Sequence, residues 1–312
     1  MKSKFILAVI NIISKIAVLS FVMTFLCNLC FSNTGASFLN IGTSARAISM
    51  GGAYVGVADD ANAISYNPAG LSQLNKNEIT AQHTEWISDV KHDFLAGAFP
   101  LRNSTVGFSI IYLSQGKIEG RDEDRNKTDN FSAYDVATTI SYSKKINEKV
   151  KLGTNLKIIQ QKIETEHATG AAIDVGTLYN TGIKNLTAGL SFQNLGPKMT
   201  FISEGYNLPF TATIGAGYNI KNAITLALDI KQKIYDQKTE ISFGTEYTPI
   251  NILALRVGYL KSLNPEDVTK ISDFKGLGGG LGLKILNFST DYAFVPYGDL
   301  GNTHRISFSI KF

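Results

Sequence analysis

The chain closes on His304-Arg305-Ile306-Ser307-Phe308-Ser309-Ile310-Lys311-Phe312. Ile306, Phe308, Ile310 and Phe312 fall on one side of an extended backbone, and Arg305, Ser307, Ser309 and Lys311 fall on the other. Strict period-2 alternation specifies a strand with one apolar and one polar face. A soluble sandwich can carry such a strand. A strand that closes a barrel in a bacterial outer membrane must carry one, because its apolar face meets lipid and its polar face meets a lumen. The sequence stops on this strand, at an aromatic residue.

Upstream, the chain repeats the pattern. The reading gives strands near 78–88, 91–100, 104–114, 131–144, 149–162, 169–180, 185–194, 209–219, 222–232, 239–248, 252–261, 275–285, 287–296 and 304–312. They number fourteen, an even count, as a single-chain bacterial barrel requires. Leu253, Leu255, Val257 and Tyr259 alternate with Arg256 and Gly258. Ile224, Leu226, Leu228 and Ile230 alternate with Asp229 and Lys231, and Leu152, Leu156 and Ile158 with Lys151, Asn155 and Lys157. Such charges are costly against lipid and cheap in a wet lumen.

The connections also sort into two kinds. If residue 78 starts a strand rising from the periplasm, every second connection lies on the periplasmic side. Those connections are short: 102–103, 145–148, 181–184, 220–221, 249–251 and the corner at Leu286. The others are free to grow, and 115–130, 195–208, 262–274 and 297–303 do so. Short turns on one side and longer loops on the other are expected of a membrane barrel. A secreted all-β domain, the alternative, has no reason to sort its loops.

Composition agrees. The chain has 28 glycines, 13 tyrosines and 18 phenylalanines against 7 prolines. Its mean hydropathy of +0.02 is too low for a helical membrane bundle. A barrel that is polar at every second position gives such an average.

The first residues read as an export signal over 1–32. Lys2 and Lys4 form a basic start, no acidic residue occurs from Phe5 to Phe31, and Cys30 and Ser32 are small residues before a cut at Asn33. A single membrane anchor is the competing reading, but Asn11, Ser14 and Lys15 interrupt the apolar run. A lipid-modified cysteine is disfavoured, because no small residue precedes Cys27 or Cys30 in the pattern that such processing prefers. Both cysteines leave with the signal, so neither a disulfide framework nor a thiolate metal site is expected. Lys2, Lys4 and Lys15 leave as well, and 27 basic residues then face 26 acidic ones. The basic balance belongs to the signal and gives no support for nucleic-acid binding.

Residues 33–77 precede the barrel, expected over 78–312, and do not read as strands. Small residues dominate, with apolar Phe38, Leu39, Ile41, Ile48, Met50, Val55 and Val57 among them. Asp59 is placed to cap a short helix over 60–65, and Asn67-Pro68 ends it, since proline disfavours helix in the residue before it. A fourteen-stranded barrel is too wide for its wall side chains to fill. An inserted segment resolves that; a flexible linker is the plainer alternative.

The stretch Gly42-Thr43-Ser44-Ala45-Arg46-Ala47-Ile48-Ser49-Met50-Gly51-Gly52-Ala53-Tyr54, followed by Asp59-Asp60-Ala61 and Asn67-Pro68-Ala69-Gly70-Leu71, resembles the amino-terminal signature of the PorV/PorQ family. That family is similar to the FadL-type outer-membrane transporters. The resemblance implies an all-β, fourteen-stranded transmembrane barrel with a small internal hatch. It makes Gly42, Arg46, Gly51, Gly52, Asp59, Asp60, Asn67 and Pro68 the candidate gating residues. It also makes Phe312 the residue read by the outer-membrane assembly machinery. Two roles are implied: passage of hydrophobic or amphipathic molecules, or anchoring and shuttling of exported proteins in type IX secretion. The expected location is the outer membrane of a Gram-negative-type bacterium, with outer-membrane lipid as the surroundings.

No catalytic, cofactor or metal site is expected. His83, His92, His167 and His304 are scattered and read as polar lumen residues. Gly276-Leu277-Gly278-Gly279-Gly280-Leu281-Gly282 lies in a strand pattern and lacks the lysine and helix of a phosphate loop. Glu119, Arg121, Asp122, Glu123, Asp124 and Arg125 read as an exposed loop, since two arginines oppose calcium binding.

Overall fold

The computed structural model describes residues 34–85, 90–122, 124–221, 223–263, 276–296 and 301–312. The expected signal over 1–32, and parts of the expected strands 78–88, 222–232 and 275–285, lie outside the described residues.

Fourteen antiparallel strands close into one barrel. In chain order they are β1 (Glu78–Glu85), β2 (Lys91–Pro100), β3 (Ser104–Ile118), β4 (Phe131–Lys145), β5 (Val150–Ile163), β6 (Glu166–Asn180), β7 (Leu186–Leu195), β10 (Thr211–Ile220), β11 (Ile224–Lys233), β12 (Lys238–Ile250), β13 (Leu253–Ser262), β14 (Leu277–Ile285), β15 (Phe288–Pro296) and β16 (Asn302–Lys311). Between β7 and β10, β8 (Met199–Phe201) and β9 (Glu204–Tyr206) form a separate hairpin. The seam pairs β1 with β16, from Glu78↔Lys311 to Glu85↔His304. Asn77 and Phe312 extend it by exchanging both backbone hydrogen bonds, at 3.0 and 2.9 Å.

The alternation sorts side chains between lipid and lumen. On β16, Phe308 is 60% exposed on the outer wall while Arg305, three residues away, is 1% exposed inside. Leu156 and Ile158 face out on β5, and Asn155 and Lys157 are buried inside. The outer wall is thus a continuous apolar band, which a soluble protein does not tolerate and lipid favours.

Two features exceed the sequence expectation. β3 and β6 run past their expected bounds of 104–114 and 169–180, and with β4 and β5, found close to theirs, they rise as a shelf at the loop end of the barrel. There β5 and β6 are joined by only Glu164 and Thr165, with Glu164 at φ 56° closing the turn. The β8–β9 hairpin, hidden in what reads as a plain loop, folds inward, and Met199 is buried with Phe38, Ala172 and Leu208.

The histidines correct the expectation that all four face the lumen. His92 does, and is fully buried. His83 points outward near the loop end, where its Nδ1 lies 2.6 Å from Asp93 Oδ1, and His304 Nδ1 lies 2.7 Å from the Tyr292 hydroxyl, also on the exposed side. His167 is exposed on the shelf. Strands leaving the apolar band no longer pay the lipid penalty for outward polar groups, so the inside–outside rule relaxes there.

The seam yields a test. Deleting Phe312 removes both bonds to Asn77 and an outward ring, whereas Lys311→Gln leaves the backbone ladder intact. Heat-modifiable gel mobility of outer-membrane fractions should show assembled barrel falling several-fold for the deletion and little changed for Lys311→Gln. Equal yields would contradict the closing role of this strand.

Candidate functional site

Residues 34–77 thread the lumen. Thr34 stands at the loop end, bridged to Asn207 and bonded through Oγ1 to Asp236 Oδ1 at 2.7 Å. Asn77 stands at the short-turn end beside Phe312. Between them, α1 (Ala45–Ser49) begins at Ser44, whose hydroxyl accepts from Ala47 N at 3.2 Å. The helix stops where Gly51 and Gly52 take φ 68° and 83°, a left-handed turn that glycine adopts without a Cβ penalty.

That turn lays backbone on backbone. A Cβ at Gly258 of β13 would overlap the Met50–Gly51 peptide, and one at Gly51 would overlap Tyr259. The pattern repeats around the wall: Gly153 of β5 lies under Pro68–Ala69, Gly176 of β6 under Asn67, Gly189 of β7 under Val55, and Gly280 of β14 under Ser49. Inward glycines thus form the seats in which the inserted segment sits, and part of the glycine-rich run in β14 is explained by them.

An ionic latch ties the segment to the wall. Arg46 Nε and Nη2 grip both carboxylate oxygens of Glu246 on β12 at 2.9 Å each. Its Nη1 reaches Asp59 at 2.5 Å, Asp60 at 3.1 Å and the Tyr54 hydroxyl at 3.1 Å. Arg256 on β13 continues the chain, bonding Glu246 and Asp291 at 2.6 Å each. Burial works against the Arg46 charge, but Asp59 and Glu246 more than offset it, and its pKa is raised well above the ordinary value. Burial likewise pushes the Tyr54 phenol well up, so it stays a neutral donor to Asp60 at 2.6 Å. A bidentate arginine–carboxylate pair of this kind is among the stronger side-chain contacts.

Other anchors come from β11, next to β12, and from β5 and β6 farther round the wall. Asp229 Oδ2 accepts from the Tyr54 and Val55 amides at 2.8 and 2.9 Å. Asn67 Nδ2 donates to Val55 O and Thr177 O, and Asn155 Nδ2 donates to Ile64 O at 2.8 Å. Asn155 belongs to a buried group with Lys157, Asp174 and Asn194, in which Lys157 Nζ is 2.9 Å from Asp174 and 2.7 Å from Asn194 Oδ1. Asn194 sits at a register shift between β6 and β7, at φ 61°.

The structure therefore brings Arg46, Asp59 and Asp60 together and places Gly51 and Gly52 at the turn between Arg46 and the two aspartates. Gly42 lies apart, its carbonyl accepting from Arg305 Nη1 at 2.7 Å. Asn67 and Pro68 rest on β5 and β6. One assignment changes: the 60–65 element is a 3-10 helix over Ala61–Ser65 capped by Asp60, whose side chain accepts from Asn62 N, not by Asp59. Asp59 is half exposed and its carboxylate is taken by Arg46. The Ala61–Ser65 helix ends, as expected, at Asn67, whose amide still donates to Ala63 O at 2.9 Å, and Asn67 also opens the next one, Pro68–Gln73, its side chain accepting from Ala69 N. Glu246, Asp291 and Asn194 were missed; inward position in a strand marks Glu246 and Asp291 as lumen polar groups but not as partners of the latch.

Above the segment, on the loop side, lies a cavity of about 670 Å³. Its floor is apolar, with Leu39, Ile41, Ile48, Val55 and Ile64. Its wall is polar, with Thr139, Lys157, Thr213, Lys231 and Glu240. The volume is in the range of small-molecule sites.

No curated protein matches the chain. Three of the solved structures that share its fold illustrate the likeness. They are the Pseudomonas putida toluene transporter TodX (TM-score 0.63, 15% identity, covering 89% of this chain and 97% of that one), the Ralstonia pickettii toluene transporter TbuX (0.63, 11%, 87% and 98%) and a Pseudomonas aeruginosa FadL homologue (0.59, 11%, 86% and 98%). The family described as type IX secretion system protein PorV matches residues 30–237. With that match over about two-thirds of its length and a closed fourteen-stranded barrel around an inserted segment, the chain belongs to the PorV family of outer-membrane β-barrels.

Proposed function

We propose that the chain binds and passes hydrophobic or amphipathic small molecules through a lumen gated by residues 34–77 acting as a hatch. The observation that carries this reading is the cavity of about 670 Å³, with its apolar floor supplied by the hatch itself. Ligand and gate therefore share a surface. The likeness in fold to two toluene transporters and a FadL homologue supports the reading. Export by the 1–32 signal and insertion by the outer-membrane assembly machinery complete it.

A second reading, anchoring or shuttling of exported proteins in type IX secretion, is favoured by the family match and by the shelf of β3 to β6. The shelf's outward polar residues, Lys117, Gln160 and Lys162, suit contact with a protein outside the membrane. One purification separates the two. Full-length protein extracted in detergent is analysed by mass spectrometry for small molecules and for co-purified proteins. The channel reading expects an apolar compound enriched over a control extract lacking the chain. Exported proteins without any such compound would favour the second reading.

A further inference from the structure

The polar groups around the cavity divide by whether they are already engaged. At inward-facing positions, Lys157 is held by Asp174 and Asn194, Lys233 by Glu240 at 2.5 Å, and Arg305 by the Gly42 carbonyl at 2.7 Å. Lys231 lies 3.9 Å from the same Glu240. An anionic head entering here meets lysines that already face carboxylates, and the carboxylates of Asp229 and Glu240 in the lining oppose it.

The hydroxyls are different. Among the described residues, Thr43 Oγ1 and Thr213 Oγ1 have no hydrogen-bond partner, and the Tyr66 hydroxyl, which the Thr43 and Ser44 amides face, has no acceptor for its own proton. All three residues line the cavity, and they are only 2%, 9% and 1% exposed. A buried hydroxyl without a partner is costly, and a ligand that pairs with it recovers that cost. Two of the three belong to the hatch, and the Gly42–Thr43 backbone passes the Tyr66 hydroxyl: a Cβ at Gly42 would be 3.1 Å from it, and the Thr43 amide faces it. Burial pushes the Tyr66 phenol up to about 12, so it keeps its proton to donate.

We infer that the cavity selects an uncharged amphiphile: an apolar chain or ring over Ile41, Ile48 and Ile64, with one hydroxyl or carbonyl head at Thr43 and Tyr66. This rests on the cavity being a binding site, and adds the class of head it takes. The head then touches the hatch, not only the wall. The Tyr66 ring packs edge-on against Tyr54 at 5.2 Å between centroids, and Tyr54 is part of the Arg46 latch.

Native mass spectrometry of the full chain in detergent tests this with 1-dodecanol, dodecane and dodecanoate at equal concentration. Dodecanol should bind about fivefold tighter than dodecane, the worth of one net hydrogen bond, and tighter than dodecanoate. Tyr66→Phe combined with Thr43→Val should erase that advantage and leave dodecane binding unchanged, which also shows that the cavity is intact. Dodecane and dodecanol binding alike would overturn the head-group inference alone. Preference for dodecanoate, or an alcohol advantage that survives in the double variant, would overturn it too. Binding of none of the three would overturn both this inference and the cavity reading beneath it.

Discussion

A chain lacking residues 36–70 should still insert as a barrel and should conduct ions at least about tenfold better than the intact protein, because a fourteen-stranded wall does not fill its own lumen. The barrel satisfies its backbone strand to strand, with the seam closed by β1 and β16, and needs no hydrogen bond from the hatch to remain closed in lipid. What the deletion loses is the inner layer: the peptides seated on Gly153, Gly176, Gly189 and Gly258, and the apolar floor of the cavity. The wall left behind is lined by glycine at those seats, with no side chain to refill the space. Planar-bilayer recordings on reconstituted protein decide it. A deletion variant that inserts but conducts no better than the parent would show that these residues are not the barrier.

Replacing Arg46 by Met should loosen the hatch without removing it. The change removes the shared guanidinium from Glu246, Asp59 and Asp60 at once, leaving Glu246 with Arg256 and Asp60 with the Tyr54 hydroxyl. Breaking a well-buried ion pair from one side costs about 3–5 kcal/mol. Asp59 is half exposed, so the figure here is discounted for solvent to about 2 kcal/mol. That corresponds to about a thirtyfold larger population of the unlatched state. The expected readout is more frequent channel opening and faster proteolysis within residues 34–77, with the assembled barrel yield unchanged. Lys145→Met, which breaks an exposed pair with Glu148 in a short turn, should change neither. If Arg46→Met matches that control, the latch does not hold the gate.

The barrel was legible in the sequence because its information is local. Period-2 alternation survives in each strand regardless of its neighbours, so Leu255 against Arg256, or Phe308 against Ser307, announces its own face. Loop sorting needs only segment lengths. The tight β5–β6 turn escaped because β6 starts at Glu166, past the apolar band, where the polar pair Glu166-His167 no longer alternates with apolar residues. The latch was half legible. Arg46, Asp59 and Asp60 sit in one motif, but Glu246 is 200 residues from Arg46, and no pattern along the chain pairs them. Asp59 was misread as a cap because its neighbour Asp60 offers the same side chain one position nearer the helix. The shift at Asn194 has no glycine to mark it. Inward glycines were visible in β14 as a run and elsewhere only as single residues whose purpose depends on what lies above them.

The central claim, that this barrel carries hydrophobic molecules past its hatch, meets its most direct test in whole cells. Entry of a radiolabelled hydrophobic tracer such as dodecanol is measured in cells that make the intact chain, the Arg46→Met variant, or none. The account predicts entry in that order: fastest with the loosened latch, slower with the intact chain, slowest without it. Equal entry in all three, accompanied by loss of exported proteins from the surface of the cells without the chain, would contradict it and leave a barrel that serves secretion alone.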